Sequence, residues 1–168
     1  MFFKSIPNIL YKANDTSFVT KDIFRRVGLD IDVNSKLAVE AYYVKDGETP
    51  DIISSNIYNS SKYHWVILIV NNIVNVNKEW PKNQYLLSEY VELKYGTGNS
   101  SVDHHYRLVS DRTIKVDYDS AKILDGTIEA VSNLDHEIEL NEDKRQIFVL
   151  KPEFLSEFIS SYKDLMVD

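Results

Sequence analysis

Apolar residues change their spacing several times along this chain. Leu37, Val39, Ala41 and Tyr43 alternate with Ala38, Glu40, Tyr42 and Val44, a period of two that predicts a strand. Lys45-Asp46-Gly47-Glu48 then reads as a tight turn, because Asp-Gly supplies the positive φ such turns need. Thr49-Pro50-Asp51 starts a helix: Thr49 is placed to cap it, Pro50 suits its first position, and Asp51 complements its dipole. Ile53 and Ile57, one turn apart, give that helix an apolar side. Val66, Ile69, Val70 and Ile73 follow i, i+3, i+4, i+7 and predict a second helix. Trp65 to Val70 is apolar all round and rich in β-branched residues, so periodicity also allows a buried strand. The length from Ser61 to Asn72 favours the helix.

Before these elements, Thr20 to Gly28 reads as a short helix capped by Thr20 and stopped by Gly28. The segment ahead of it is Asn- and Ser-rich. It reads as an extended arm carrying Phe2, Phe3, Ile6, Ile9, Leu10 and Tyr11, with too few apolar residues between Asn8 and Ser17 to anchor itself. After Trp80-Pro81 breaks the pattern, Asn83 to Tyr95 predicts a helix with Leu86, Tyr90 and Leu93 on one side. Gly96 ends it and Gly96 to Ser101 forms a linker.

Beyond the linker the period returns to two. Ile114, Val116 and Tyr118 alternate with polar residues, and the pairs Tyr106/Leu108 and Ile138/Leu140 suggest further strands. Asn141 to Lys144 reads as a turn into a strand at Arg145 to Leu150. Pro152 opens an amphipathic helix whose stripe includes Phe154, Leu155, Phe158, Ile159, Tyr162, Leu165 and Met166. Strands and helices are segregated, which predicts an α+β fold. The chain divides into an arm and short helix (1–35), a strand-helix-helix-strand unit (36–78), a helix with linker (79–100), and a β-rich C-terminal part closed by the last helix (101–168).

A chain of 168 residues with 43% hydrophobic content can bury a core without covalent staples. Its net charge of −7, with no basic cluster beyond Arg25-Arg26 and Lys144-Arg145, argues against a nucleic-acid partner. The absence of Cys excludes disulfides and thiolate metal sites. Trp65 to Val70 is far too short to cross a bilayer, and the start lacks the pattern of a signal peptide, so no membrane role is expected.

Catalytic chemistry finds little support. No nucleophile elbow, phosphate loop, dinucleotide fingerprint or His-Glu-x-x-His occurs. His104 and His105, adjacent on a strand, are expected to point to opposite faces and not to share an ion, although Asp103 and His105 fall on one face. Asp135, Glu137, Glu139, Glu142 and Asp143 read as an acidic strand face and a solvated turn. No catalytic residue, metal or cofactor is expected.

Tyr42-Tyr43-Val44-Lys45-Asp46-Gly47-Glu48-Thr49-Pro50-Asp51-Ile52-Ile53 resembles the opening of a LysM module, and Asn71-Asn72-Ile73 is similar to the end of its second helix. That resemblance implies a strand-helix-helix-strand fold, with Val74 to Val76 as the closing strand. It also implies an alternative function, binding of peptidoglycan or chitin, with Gly47, Glu48, Thr49, Asn71 and Asn72 lining the groove. A wider resemblance spans about Phe3 to Met166. Asp22-Ile23-Phe24-Arg25-Arg26, Ile57-Tyr58, His64-Trp65-Val66-Ile67-Leu68, Glu79-Trp80-Pro81, Asn141-Glu142-x-x-Arg145-Gln146-Ile147 and Phe158 to Met166 resemble the wedge protein specified by the fifty-third gene of T4-like phages. Gly96 to Asp125 matches least.

This second resemblance implies a virion protein of the tail baseplate, assembled in the host cytoplasm and present in several copies around the tail axis. It implies contacts with other wedge proteins beside the sheath initiator, and no catalysis. The arm (Phe2, Phe3, Ile6, Ile9, Tyr11), the turn and helix ends (Gly47, Glu48, Thr49, Asn71, Asn72) and the last helix (Phe158, Tyr162) are the expected docking residues.

Overall fold

The computed structural model describes residues 6–14, 16–22 and 37–167. In chain order the elements are β1 (Asn8–Ala13), β2 (Thr16–Lys21), β3 (Val39–Tyr43), α1 (Pro50–Tyr58), α2 (His64–Val70), α3 (Val76–Glu79), α4 (Gln84–Tyr95), β4 (Asp103–Leu108), β5 (Lys115–Val116), α5 (Ser120–Leu124), β6 (Ile128–Ser132), α6 (Asn133–Asp143), β7 (Gln146–Leu150) and α7 (Leu155–Val167). The fold is α+β, with small sheets of two or three strands. The chain packs as two compact units. One takes Met1–Tyr43, Glu48–Glu79 and Ile147–Asp168, as far as these are described; the other takes Val44–Gly47 and Trp80–Gln146.

In the first unit β1 and β2 form an antiparallel hairpin, Leu10 opposite Val19 and Tyr11 opposite Phe18. Asn14, at φ 48, takes the left-handed conformation that asparagine tolerates in a turn. Thr20, expected to cap a helix, lies instead in β2 opposite Ile9. The run Thr16-Ser17-Phe18-Val19-Thr20 is rich in β-branched and aromatic residues, and strand pairing overrides its capping preference. The rest of that expected helix, from Ile23 to Gly28, lies outside the described residues.

β3 pairs with β7, from the far end of the sequence. The expected closing strand at Val74 to Val76 does not form: Val76 opens the short helix α3, and the Glu79 carboxylate accepts the Val74 and Asn75 N–H groups at 2.7 and 3.2 Å. Lys151 N–H donates to the Ala38 carbonyl and Val44 N–H to the Arg145 carbonyl, each at 2.9 Å, so the two strands run antiparallel. Ile147 and Val149 are buried, while Phe148 between them is exposed.

In this register Phe148 and Leu150 turn their backbone polar groups away from β3. Side chains occupy that open edge. The Asn71 amide donates to the Phe148 carbonyl at 2.7 Å and accepts from its N–H at 2.8 Å. The buried Tyr58 hydroxyl donates to the Leu150 carbonyl at 2.9 Å. Two helix ends thus take the place of a third strand. The helix expected from Ser61 forms as one 3-10 turn, Ser61–Tyr63, that runs into α2. Its buried residues are Val66, Ile67 and Val70.

The second unit holds a three-stranded sheet in the order β5-β4-β6. The strand expected over Ile114 to Tyr118 shrinks to Lys115–Val116. Asp111 draws the Thr113 N–H and hydroxyl into a local turn at 3.0 and 2.7 Å, and Asp119 caps α5, so short-range bonds cut the strand at both ends.

The strand expected at Ile138 and Leu140 is helix α6. Ser132 ends β6 and also caps α6, its hydroxyl accepting from Asp135 N–H at 3.1 Å. The buried positions of this helix are Asn133, Glu137 and Asn141, four residues apart on one face, while Ile138 and Leu140 are exposed. A reading that follows apolar residues therefore misses its period.

Candidate interaction surfaces and a histidine cluster

Lys21 and Asp22 secure the base of the β1–β2 hairpin. The Lys21 ammonium donates to the Ile6 carbonyl at 2.7 Å, and Asp22 N–H donates to the Pro7 carbonyl at 2.9 Å. Ile6 is buried with Tyr162 and Met166, and Trp65 and Ile69 pack against this cluster. Beyond that root the hairpin is open on both faces. Leu10 and Val19 are 71% and 72% exposed on one face, and Tyr11 and Phe18 are 57% and 53% exposed on the other. Ile9 is 39% exposed. A two-stranded ribbon with both faces wet is at best marginally stable alone, so this apolar display is suited to being covered. Phe2 and Phe3 lie outside the described residues.

The last helix is placed differently. Phe158 and Tyr162 are 7% and 4% exposed, and their rings lie 6.1 and 5.0 Å from the Trp65 ring, centroid to centroid. Their stripe is occupied by the unit's own core and does not form a free face. Burial pushes the Tyr162 phenol up.

The turn residues serve the fold. Gly47 sits at φ 78, which explains the glycine; an added Cβ there would meet open space. The Glu48 carboxylate accepts from the Tyr42 hydroxyl at 3.0 and 3.1 Å, and burial and this bond together raise the Tyr42 pKa. Thr49 occupies the cap position of α1 with extended backbone (φ −105, ψ 160), but its side chain makes no capping bond. Asn71 is engaged on Phe148 and on the Ile67 carbonyl, at 2.8 Å for the latter. Asn72 takes a left-handed φ of 55 after the helix.

The acidic residues near the C-terminus are not all solvated. Glu137 is buried, and one of its oxygens accepts from the Lys94 ammonium at 2.6 Å and the Tyr95 hydroxyl at 2.8 Å. Burial alone would raise its pKa; the two hydrogen bonds win and hold it below the ordinary carboxylate value. The Glu139 carboxylate grips the Arg107 guanidinium at 2.8 Å, and Glu129 accepts from Arg107 Nε at 2.7 Å. These three side chains, already paired with one another, line an open cleft of about 240 Å³.

His104 and His105 do not point apart as expected. The β4–β6 register shifts between Asp103 and His105, a bulge that turns consecutive side chains to one side. Their Nδ1 atoms lie 2.9 Å apart. His136, in the first turns of α6, stacks on His104 with centroids 4.0 Å apart and 14° between planes. Asp103, the other residue expected to face with His105, accepts instead from the Tyr106 hydroxyl at 2.6 Å. The Asp103-His104-His105 run was the visible signal; the bulge and the distant His136 were not legible in it.

Taken together, the described residues define an α+β protein whose polar side chains are engaged mainly in holding its own elements and whose hairpin offers an apolar surface. No helix among them is long and apolar enough to cross a membrane. The family described as base plate wedge protein 53 matches residues 1–116, more than half of the sequence, and the chain belongs to that family. It is accordingly a structural protein of the phage tail baseplate in the virion, and interacts with other baseplate proteins. No curated protein matches the chain.

Proposed function

We propose that this chain is the wedge subunit that joins neighbouring wedges in the baseplate of a contractile phage tail, with the β1–β2 hairpin as a principal docking element. In this reading several copies surround the tail axis. Each is assembled in the host cytoplasm against other wedge proteins and lies next to the sheath initiator. It carries out no reaction. The supporting observation is the hairpin, rooted by Ile6 and Lys21 yet displaying Leu10, Val19, Tyr11 and Phe18 to solvent. Fully burying such side chains against a neighbour contributes about 1.5–3 kcal/mol each before the costs of association. A pair of subunits around an axis presents different surfaces to each other, which suits an element that projects from its own unit.

The test is co-expression of the chain with the other wedge components of its phage, followed by purification of the assembled wedge. Wild-type chain is expected to co-purify and to link wedges into rings. The double variant Leu10→Ser/Val19→Ser is expected to fold normally and fail to link them. Normal linkage by that variant would refute the role of the hairpin. Wedges that close into rings without any of this chain would refute the joining role itself.

A further inference from the structure

We propose that His104, His105 and His136 form a binding site for one divalent transition-metal ion of the zinc class. Each residue offers one ring nitrogen, and the three nitrogens lie within 4.8 Å of one another. Two ligands come from the bulge of β4 and the third from α6, so the ion would tie a sheet to the helix that follows its edge strand.

The framework around the rings is firm. β4 is held between β5 and β6, with His105 opposite Val131 and Asp103 opposite Ser132. Ser132 also caps α6, which fixes where His136 emerges. The start of α6 is tied to the loop before β4: Asn133 N–H donates to the Val102 carbonyl at 2.9 Å, Leu134 N–H to the Ser100 carbonyl at 3.0 Å, and the Asn133 amide to the Asn99 carbonyl at 2.8 Å.

The rings themselves are set up for a cation. At 2.9 Å, the Nδ1 atoms of His104 and His105 are within hydrogen-bond distance, an arrangement in which one ring turns its lone pair towards the other. His105 lies edge-on to both other rings, at 5.1 and 5.5 Å between centroids. A tetrahedral ion bound at 2.0–2.1 Å needs ligand nitrogens about 3.3 Å apart. The ring nitrogens, within 4.8 Å of one another, are near that spacing, and the exposed His104 ring, stacked on His136, is the one with room to adjust. Burial, Lys115 and the neighbouring rings depress the pKa of His105, with Arg107 adding a smaller push. Burial and His104 depress that of His136, with Lys115 and Lys94 acting with them and Glu137 against them.

The donor set decides the class of ion. Three imidazoles with no carboxylate among them, near the cationic Lys115 and Arg107, disfavour calcium and magnesium and favour zinc, cobalt, nickel or copper. Three protein ligands leave a fourth position for water.

The test uses full-length chain without a histidine tag, stripped with chelator, and titrated with Zn²⁺ by calorimetry and with Co²⁺ by visible absorption. The expected result is one ion per chain at micromolar affinity or tighter, with the visible bands of Co²⁺ in a nitrogen-ligand field. His105→Ala and His136→Ala are expected to weaken binding more than about tenfold. His64→Ala, which alters the histidine outside the cluster, is expected to leave it unchanged. Should a cluster variant not fold, wild-type NMR decides: Zn²⁺ is expected to shift the ring resonances of His104, His105 and His136 and not those of His64. No saturable binding, or equal affinity in wild type and cluster variants, or ring shifts confined to His64, would overturn the proposal.

Discussion

Replacing Glu137 by alanine is the most direct way to test whether α6 is held by its polar face. The Glu137 side chain is only 5% exposed, and a single oxygen accepts from Lys94 at 2.6 Å and from Tyr95 at 2.8 Å. A hydrogen bond to a charged partner contributes about 1.5–3 kcal/mol. The Lys94 side chain is 41% exposed and regains water when its partner leaves, so its share falls at the low end. The Tyr95 bond and the lost packing add to it. A net cost of about 2–3 kcal/mol follows, which for a chain of this length lowers the melting temperature by about 4–12 °C.

The pH dependence has a definite sign. The folded carboxyl pKa is depressed, so the contribution is present above the unfolded value, about 4.3, and disappears as pH falls through the folded one. Thermal unfolding followed by circular dichroism should therefore show a wide gap between wild type and Glu137→Ala at neutral pH, narrowing in acid. A gap under about 0.5 kcal/mol at neutral pH, or one that widens in acid, would refute the reasoning.

Other outcomes follow from the same geometry. Tyr58→Phe removes the buried bond to the Leu150 carbonyl and should cost about 1–2 kcal/mol in urea unfolding; no change would mean the open edge of β7 is closed by other means. Because burial pushes the Tyr58 phenol up to about 12, wild type should lose stability as pH rises from 10 towards that value, and Tyr58→Phe should lose less; identical alkaline limbs would argue against it. An added Cβ at Gly47 meets open space, so the cost of Gly47→Val should be mainly conformational, about 1–2 kcal/mol from the positive φ, and an unchanged melting curve would show that φ to be wrong. Leu10→Ser/Val19→Ser should leave the melting temperature within about 1 °C, since those side chains are exposed; a large drop would mean that the hairpin faces are already covered within the chain.

Features whose cause lies within a few residues were legible in the sequence. The helix read from Asn83 to Tyr95 forms as α4, Gly96 stops it at φ 90, Gly47 turns at φ 78, and Pro152 opens the turn before α7. The baseplate family was legible too, through the order and spacing of short segments along the chain. Local sequence determines such features because a proline ring, a missing Cβ or a capping amide acts on its own backbone.

Tertiary structure decided the rest. β3 closes with a strand about a hundred residues away, at Gln146–Leu150, because pairing depends on which edges meet in space. Helix α6 turns Asn133, Glu137 and Asn141 inward, since buried polar groups are tolerated once Asn99, Lys82, Lys94 and Tyr95 satisfy them, and those partners lie on other elements. One bulge in β4 brought His104 and His105 to the same side, where an unbroken alternation would have parted them. Phe158 and Tyr162 carry the amphipathic stripe expected of a docking helix, yet Trp65 and Ile6 already occupy that face. Periodicity states that a face must be covered, and only the packed chain determines what covers it.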